Sequence, residues 1–428
     1  MFKRSAKSEA SPSRLLWEAV ATRPSRFRRA TRRKGWVLYR WDTEFGAVAL
    51  AHPVRGETAA MTFPDAALLN ELAPDAVALV VVEADFGPPD GPSLEAIDAG
   101  GPDQYYGTTW RRLERVLGTP APYWHPNLRD PELMMAWKPG APTMHVPAVV
   151  TPDPAPLLRL AAEAPDGSHA ATAALEVTRR AVWQAAESAR EQIAEYVDAC
   201  DASTSIALAA RPVMPHPPEP VAEEILRDGW RTILARTDVL AARCARLGDV
   251  LGASTYFPGA HKVTVDPDSC AEAQQWASRL QPSARTALAT YLGDSEENIL
   301  IDPLTDMPAV ALGDGTIDTL APQRLPARSP LAALTVGNRS VWIRTQDDTV
   351  FLAPQVGASY TYGYAGGGPT ALARLIDLLL DDVTNAGPGY DGIMPPAGLA
   401  RATQEEWSGH VPPFTLTRAQ LQALRDND

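Results

Sequence analysis

This sequence predicts an α+β, multidomain architecture, and three observations carry that reading. β-branched and aromatic runs separated by turn residues fill 35–150, Ala/Glu-rich stretches with few breakers dominate 156–300, and short strands followed by helices return over 331–428. At 428 residues the chain exceeds what one ordinary core organises. Proline, 40 residues of the 428, is about twice its usual share, which favours several pieces joined by rigid turns over one smooth repeat.

Taken in order, residues 1–34 are rich in Ser, Pro and Arg and read as a basic, disordered arm, with one short helical stretch at Ser13–Thr22. Order is expected from Gly35. Trp36–Trp41, Ala47–Ala51 and Thr58–Phe63 are strand candidates, and Asp65–Leu72 is a short helix opened by Pro64 with Leu68, Leu69 and Leu72 on its buried side. Ala76–Val82 is a continuous apolar run of strand length, the pattern of a strand covered on both faces. A helix is expected over Thr109–Leu117, and Ala121–Pro154 is punctuated by prolines.

From Pro156 the pattern becomes helical. Ala170–Cys200 and Val221–Leu247 read as long helices on either side of a stiff proline linker at 213–220, and shorter helices follow at 271–280 and 283–292. Pro303–Pro330 reads as loop. The module 331–428 predicts strands at Ala333–Val336, Val341–Arg344, Thr349–Leu352 and Ser359–Tyr362. A glycine run, a helix over Thr370–Asp382 and a final helix Thr417–Arg425 capped by Thr417 complete it.

Composition removes several function classes. No apolar run approaches the roughly 18–20 residues of a membrane helix, so no membrane association is expected, and Glu18 interrupts the only leader-like stretch, Leu15–Ala21. The three cysteines, Cys200, Cys244 and Cys270, are widely spaced and form no CxxC pair, so neither a zinc site nor a disulfide framework is indicated and a cytoplasmic setting is expected. Net charge is −13, unevenly placed. Residues 1–40 hold twelve Lys/Arg against two Glu, a net +10, while the other 388 carry 27 basic against 50 acidic residues, a net −23.

Three constellations could carry chemistry. Arg23, Arg26, Phe27, Arg28, Arg29, Arg32, Arg33 and Lys34 place one aromatic among seven cations, a composition suited to neutralising phosphates with little reading of bases. A solubilising tail is the other meaning of such a segment. Glu83 and Asp85 leave the apolar run Ala76–Val82 on one side of the chain, where open α/β enzymes place metal-binding carboxylates. No HExxH or HxH spacing accompanies them, and no cofactor is expected. Gly366, Gly367 and Gly368 before a helix could either cradle an anion on free N–H groups or let the helix fold tightly back. Pro369-Thr370 stands where a phosphate loop has Lys-Ser/Thr, and the glycine spacing does not fit GxGxxG.

The segment Tyr362-Gly363-Tyr364-Ala365-Gly366-Gly367-Gly368-Pro369, with Leu372-Ala373, Leu375-Ile376 and Leu379-Leu380-Asp381-Asp382, resembles a C-terminal module of uncharacterised actinobacterial mobile-element-type proteins. Thr417-Arg418-Ala419-Gln420-Leu421 matches their closing helix. The likeness covers the last hundred residues or so and implies an accessory protein of a mobile element, without bringing an activity or ligand. The expectation is therefore a non-catalytic accessory or binding protein of a cytosolic bacterial system, with sequence-independent nucleic-acid contact through 23–34. A metal-dependent enzyme acting on a phosphate-containing substrate through Glu83 and Asp85 is the alternative, and a structural component of a larger assembly, with a protein partner, is the second.

Overall fold

Lys34 and Gly35 both adopt positive φ, 46° and 79°, the conformation of a two-residue hairpin turn that matches the natural twist of paired strands. In the computed structural model, which describes residues 16–54, 65–87, 90–99, 105–259, 261–293, 299–357, 359–389 and 392–427, this turn opens an α+β fold. The chain divides into two compact units, Met1–Asp153 with Arg179–Pro218, and Pro154–Thr178 with Glu219–Asp428. The helical middle expected over 156–300 is thus shared between the two.

The first unit is built on a six-stranded sheet: β1 (Arg26–Arg33), β2 (Trp36–Thr43), β3 (Gly46–Pro53), β4 (Ala78–Gly87), β5 (Gly91–Asp98) and β6 (Tyr106–Thr108), in that spatial order. Neighbours are antiparallel except β3 and β4, which run parallel around a crossover containing the helix Ala66–Leu72. Asp65 caps that helix, accepting a hydrogen bond from the Leu68 amide at 2.6 Å. Leu69 and Leu72 cover one sheet face with Trp36, Leu38, Leu79 and Val81. Tyr39, Trp41, Val80 and Val82 bury the other against Trp110, Tyr123 and Trp124. Coverage on both sides is why the β4 sequence is apolar without alternation. Thr109 caps the helix Trp110–Leu117, which ends at Gly118 with φ 63°. The proline-punctuated stretch adds β7 (Ala121–Tyr123) and β8 (Met144–Pro147), which pair in parallel with β9 (Ile206–Leu208) and β10 (Ala210–Val213).

Order therefore begins before Gly35, against the expectation of a disordered arm through residue 34. Phe27 and Ala30 supply the apolar contacts of β1, the Phe27 ring lying 5.4 Å from Trp41 and 5.9 Å from Trp137 edge-on. An edge strand accepts arginines because their heads reach water while their stems lie along the sheet. The strand expected at Thr58–Phe63 lies outside the described residues.

In the second unit, β11 (His261–Val265), β12 (Gln281–Pro282), β13 (Ile299–Asp302), β14 (Met307–Ala311) and β15 (Ile317–Ala321) form an antiparallel sheet in the order β11-β15-β14-β13-β12. This corrects the loop expected over Pro303–Pro330: Gly313-Asp314-Gly315 is a turn between two strands. The long helix expected over Val221–Leu247 is two, Glu223–Leu234 and Val239–Val250, because Asp238 caps the second by accepting from the Ala241 amide. The helix expected at 283–292 shrinks to a 3-10 turn, Leu288–Leu292. A second antiparallel sheet orders β16 (Leu331–Val336), β17 (Val341–Thr345), β18 (Val350–Leu352) and β19 (Phe414–Thr417) as β18-β17-β16-β19. Ser359–Tyr362, expected as a strand, pairs with neither sheet; it leads to the helix Gly367–Asp381, which packs with Ala397–Gln404 and Arg418–Arg425 over Leu334 and Ile343. Buried Asp302 ties the unit together, bonding Arg279 at 2.7 and 2.8 Å and accepting from Trp276 Nε1 at 3.2 Å.

Candidate functional site

The basic segment becomes an exposed edge strand whose register assigns each cation to a face. Arg26 opposes Asp42, Arg29 opposes Arg40, and Arg33 opposes Trp36, so these three arginines share the sheet face of Leu38. Arg32, opposite Val37, lies on the other face. Nearby acids answer part of the charge. Arg28 pairs with Asp42 at 2.7 Å and Asp75 at 3.6 Å, Lys34 with Glu71 at 2.7 Å, and Arg40 with Asp75. Burial raises the Asp75 carboxyl, but hydrogen bonds within its own turn and from Arg40, with the Arg40 and Arg28 charges, hold it below the usual range. Arg23, Arg26, Arg29, Arg32 and Arg33 are exposed and form no ion pair among the described residues. Phe27 is half-buried against Trp41 and Trp137, so the cations rather than the ring face water.

Glu83 and Asp85 do not follow the end of a strand. β4 continues to Gly87 through a shift of register between Val82, opposite Leu94, and Phe86, opposite Pro92, and both acids fall within that irregularity. Their side chains lie outside the described residues. Among the described residues no three His, Cys, Asp or Glu side chains gather as a metal site would require.

At the glycine run, close approach is the visible role. A Cβ on Gly368 would collide with Thr361 Oγ1, and one on Gly363, where φ is 86°, would meet Ser408 Cα at 3.0 Å. Gly367 has nothing within 4 Å of that position. The helix begins at Gly367 with no side-chain cap, and Gly366, at φ 175°, is ordinary extended backbone. The glycines thus bring the helix against 359–361 and 408, while Gly366, Gly367 and Gly368 stay the anion-binding candidates.

The chain matches no protein-family model, no curated protein and no solved structure. Among the described residues no helix is long and apolar enough to cross a membrane.

Two groupings were not legible in the sequence. In the first unit Arg129 is buried, its Nε donating to the Trp124 carbonyl at 3.1 Å and Nη1 to that of Pro53 at 3.4 Å. Burial lowers its pKa to about 10 and that of His125 to about 4. His52, wholly buried, is pushed well below its ordinary value first by burial, then by the Arg129 charge. The second grouping is a concave site of about 320 Å³ in the second unit, lined by Arg227, Arg231, Tyr256, Phe257, Asp306 and Arg324 among others. Its residues come from four separate segments, so no local motif could announce it.

Proposed function

We propose that this chain is a non-catalytic binding protein of the cytoplasm that attaches to nucleic acid without regard to sequence, through the arginines of β1. The supporting observation is a short edge strand presenting Arg26, Arg29, Arg32 and Arg33 to water without ion-pair partners among the described residues, on a chain whose remainder beyond residue 40 is net −23. Eight residues of strand span roughly 25 Å at about 3.3 Å each. That length faces several phosphates of one duplex strand, spaced about 3.4 Å along the axis. Arginine forks match phosphate oxygens. The half-buried Phe27 and the acidic remainder leave little for base reading, which fits attachment without sequence preference.

The test is the salt dependence of a duplex mobility shift. Three phosphate contacts, from Arg26, Arg29 and Arg33 on their shared face, give a log–log slope of about −2.7, and Arg29→Ser/Arg32→Ser/Arg33→Ser, which leaves one of them, reduces it to about −1. Circular dichroism of the variant stays unchanged, since these side chains are exposed. A wild-type protein that shifts no duplex at low salt, or a variant that keeps the full slope, sinks the proposal.

A further inference from the structure

The concave site of the second unit is built around a guanidinium fixed in place. Arg227, on the helix Glu223–Leu234, donates through Nη1 to the Thr255 carbonyl at 3.2 Å and to Gln323 Oε1 at 3.0 Å, and through Nη2 to Glu223 at 3.2 Å. Gln323 is itself immobilised: only 4% exposed, it donates through Nε2 to the Ser254 carbonyl at 2.8 Å. Arg231 follows four residues later on the same helix face, well exposed and only loosely paired with Asp228 at 3.6 Å. Arg324, beside Gln323, is exposed. Leu304, Thr305 and Asp306 also line it, and Tyr256, Pro258 and Leu304 give it apolar surface that solvent reaches.

Three arginines against Asp306 give the lining itself a net +2 in a chain of net −13, with the exposed Glu223 and Asp228 beside Arg227 and Arg231 outside it. A cationic concavity on an acidic body concentrates anions at its mouth. The volume of about 320 Å³ lies at the small end of the range for organic ligands, about 300–1,000 Å³. Planar guanidinium forks favour phosphate oxygens, and the accessible apolar lining accepts the body of an organic molecule. We propose that this site binds a small phosphate monoester, its phosphate held by Arg231 and Arg324 and its organic part lying against Tyr256, Pro258 and Leu304. Arg227, already bonded to Gln323 and Thr255, sets the position of the cationic wall.

The proposal is independent of the role assigned to β1 and can be tested separately from it. Titration calorimetry of the full chain with ribose 5-phosphate is expected to give saturable binding at one site, with ribose giving none. Arg231→Ser/Arg324→Ser, two exposed positions, should weaken binding at least about tenfold, while Arg29→Ser/Arg32→Ser/Arg33→Ser leaves it unchanged. Circular dichroism and the melting midpoint confirm that both variants fold, and the conservative Arg231→Lys/Arg324→Lys should recover part of the affinity. Absence of saturable heat at millimolar ribose 5-phosphate, undiminished affinity in the Arg231/Arg324 serine variant, or loss of binding in the β1 variant would overturn the assignment.

Discussion

At the residue scale, His125 shows what burial does to a side chain that the sequence presents as an isolated histidine. The Asn127 amide donates to its Nδ1 at 3.2 Å, so the neutral ring carries its proton on Nε2, 2.8 Å from Gln192 Oε1. Burial holds the ring neutral down to a pKa of about 4, and His52, 0% exposed, is also pushed well below its ordinary value. Both shifts are downward, which fixes the sign of the pH dependence. Above about pH 6.5 folded and unfolded states are both neutral, and this stability is present in full. As pH falls below 6.5 the unfolded chain takes up protons that the folded chain refuses, so stability is lost. His125 alone costs about 2 kcal/mol by pH 5, at about 1.4 kcal/mol per pH unit. Urea midpoints measured from pH 7 to 4.5 should fall in wild type and fall less steeply in His125→Gln. Parallel slopes would show that the ring titrates in the folded state as it does in the unfolded chain.

At the element scale the glycine-run helix yields a test with opposite signs at adjacent positions. Gly368→Ala drives a methyl against Thr361 Oγ1 and the Ser359 carbonyl, with an expected loss of about 1–3 kcal/mol. Gly367→Ala enters open space in a first helical turn and should gain about 0.5 kcal/mol by narrowing the unfolded ensemble. Thermal melts of the two variants decide it; equal losses would mean the glycines serve backbone conformation and not close packing. The far end of the same helix is fastened by Arg425, which reaches Asp377 at 3.1 Å and Asp381 at 2.6 Å. The closing helix that carries Arg425 was legible from Thr417, whose capping box with Gln420 is present. Legibility followed locality elsewhere too. The helix opened at Thr109 and the covered strand of apolar Ala76–Val82 were local in this sense, whereas Asp65, expected inside a helix opened by Pro64, is its cap. Met307–Ala311, by contrast, contains a proline and little periodicity, and is a strand because β13 and β15 flank it. The reverse holds at Ser359–Tyr362, which has strand composition and no strand to pair with.

For the whole molecule, the ordered β1 changes what removing the basic segment would do. Trp17, 4% exposed, and Phe27 both belong to the first unit's core, and β1 covers one edge of β2. Deleting residues 1–34 should therefore lower the first unit's melting midpoint by about 6 °C or more. This follows from at least about 3 kcal/mol of lost burial at about 2–4 °C per kcal/mol. A truncated chain that melts like wild type would show that β1 adds nothing to the core, and point substitution of the arginines is the cleaner way to ask about nucleic acid. The sequence by itself determined the α+β class, the Thr417 cap, the apolar strand β4, and a +10 segment ahead of a −23 remainder, because each depends on neighbouring residues or on simple counting. Only the tertiary structure decided that the basic segment is a paired edge strand with Arg26, Arg29 and Arg33 on one face. It alone buried Arg129 among neutral carbonyls and gathered Arg227, Arg231 and Arg324 around one concavity. Strand pairing, burial and pocket formation join residues far apart in the chain, and their free energy lies in partners that no local window contains.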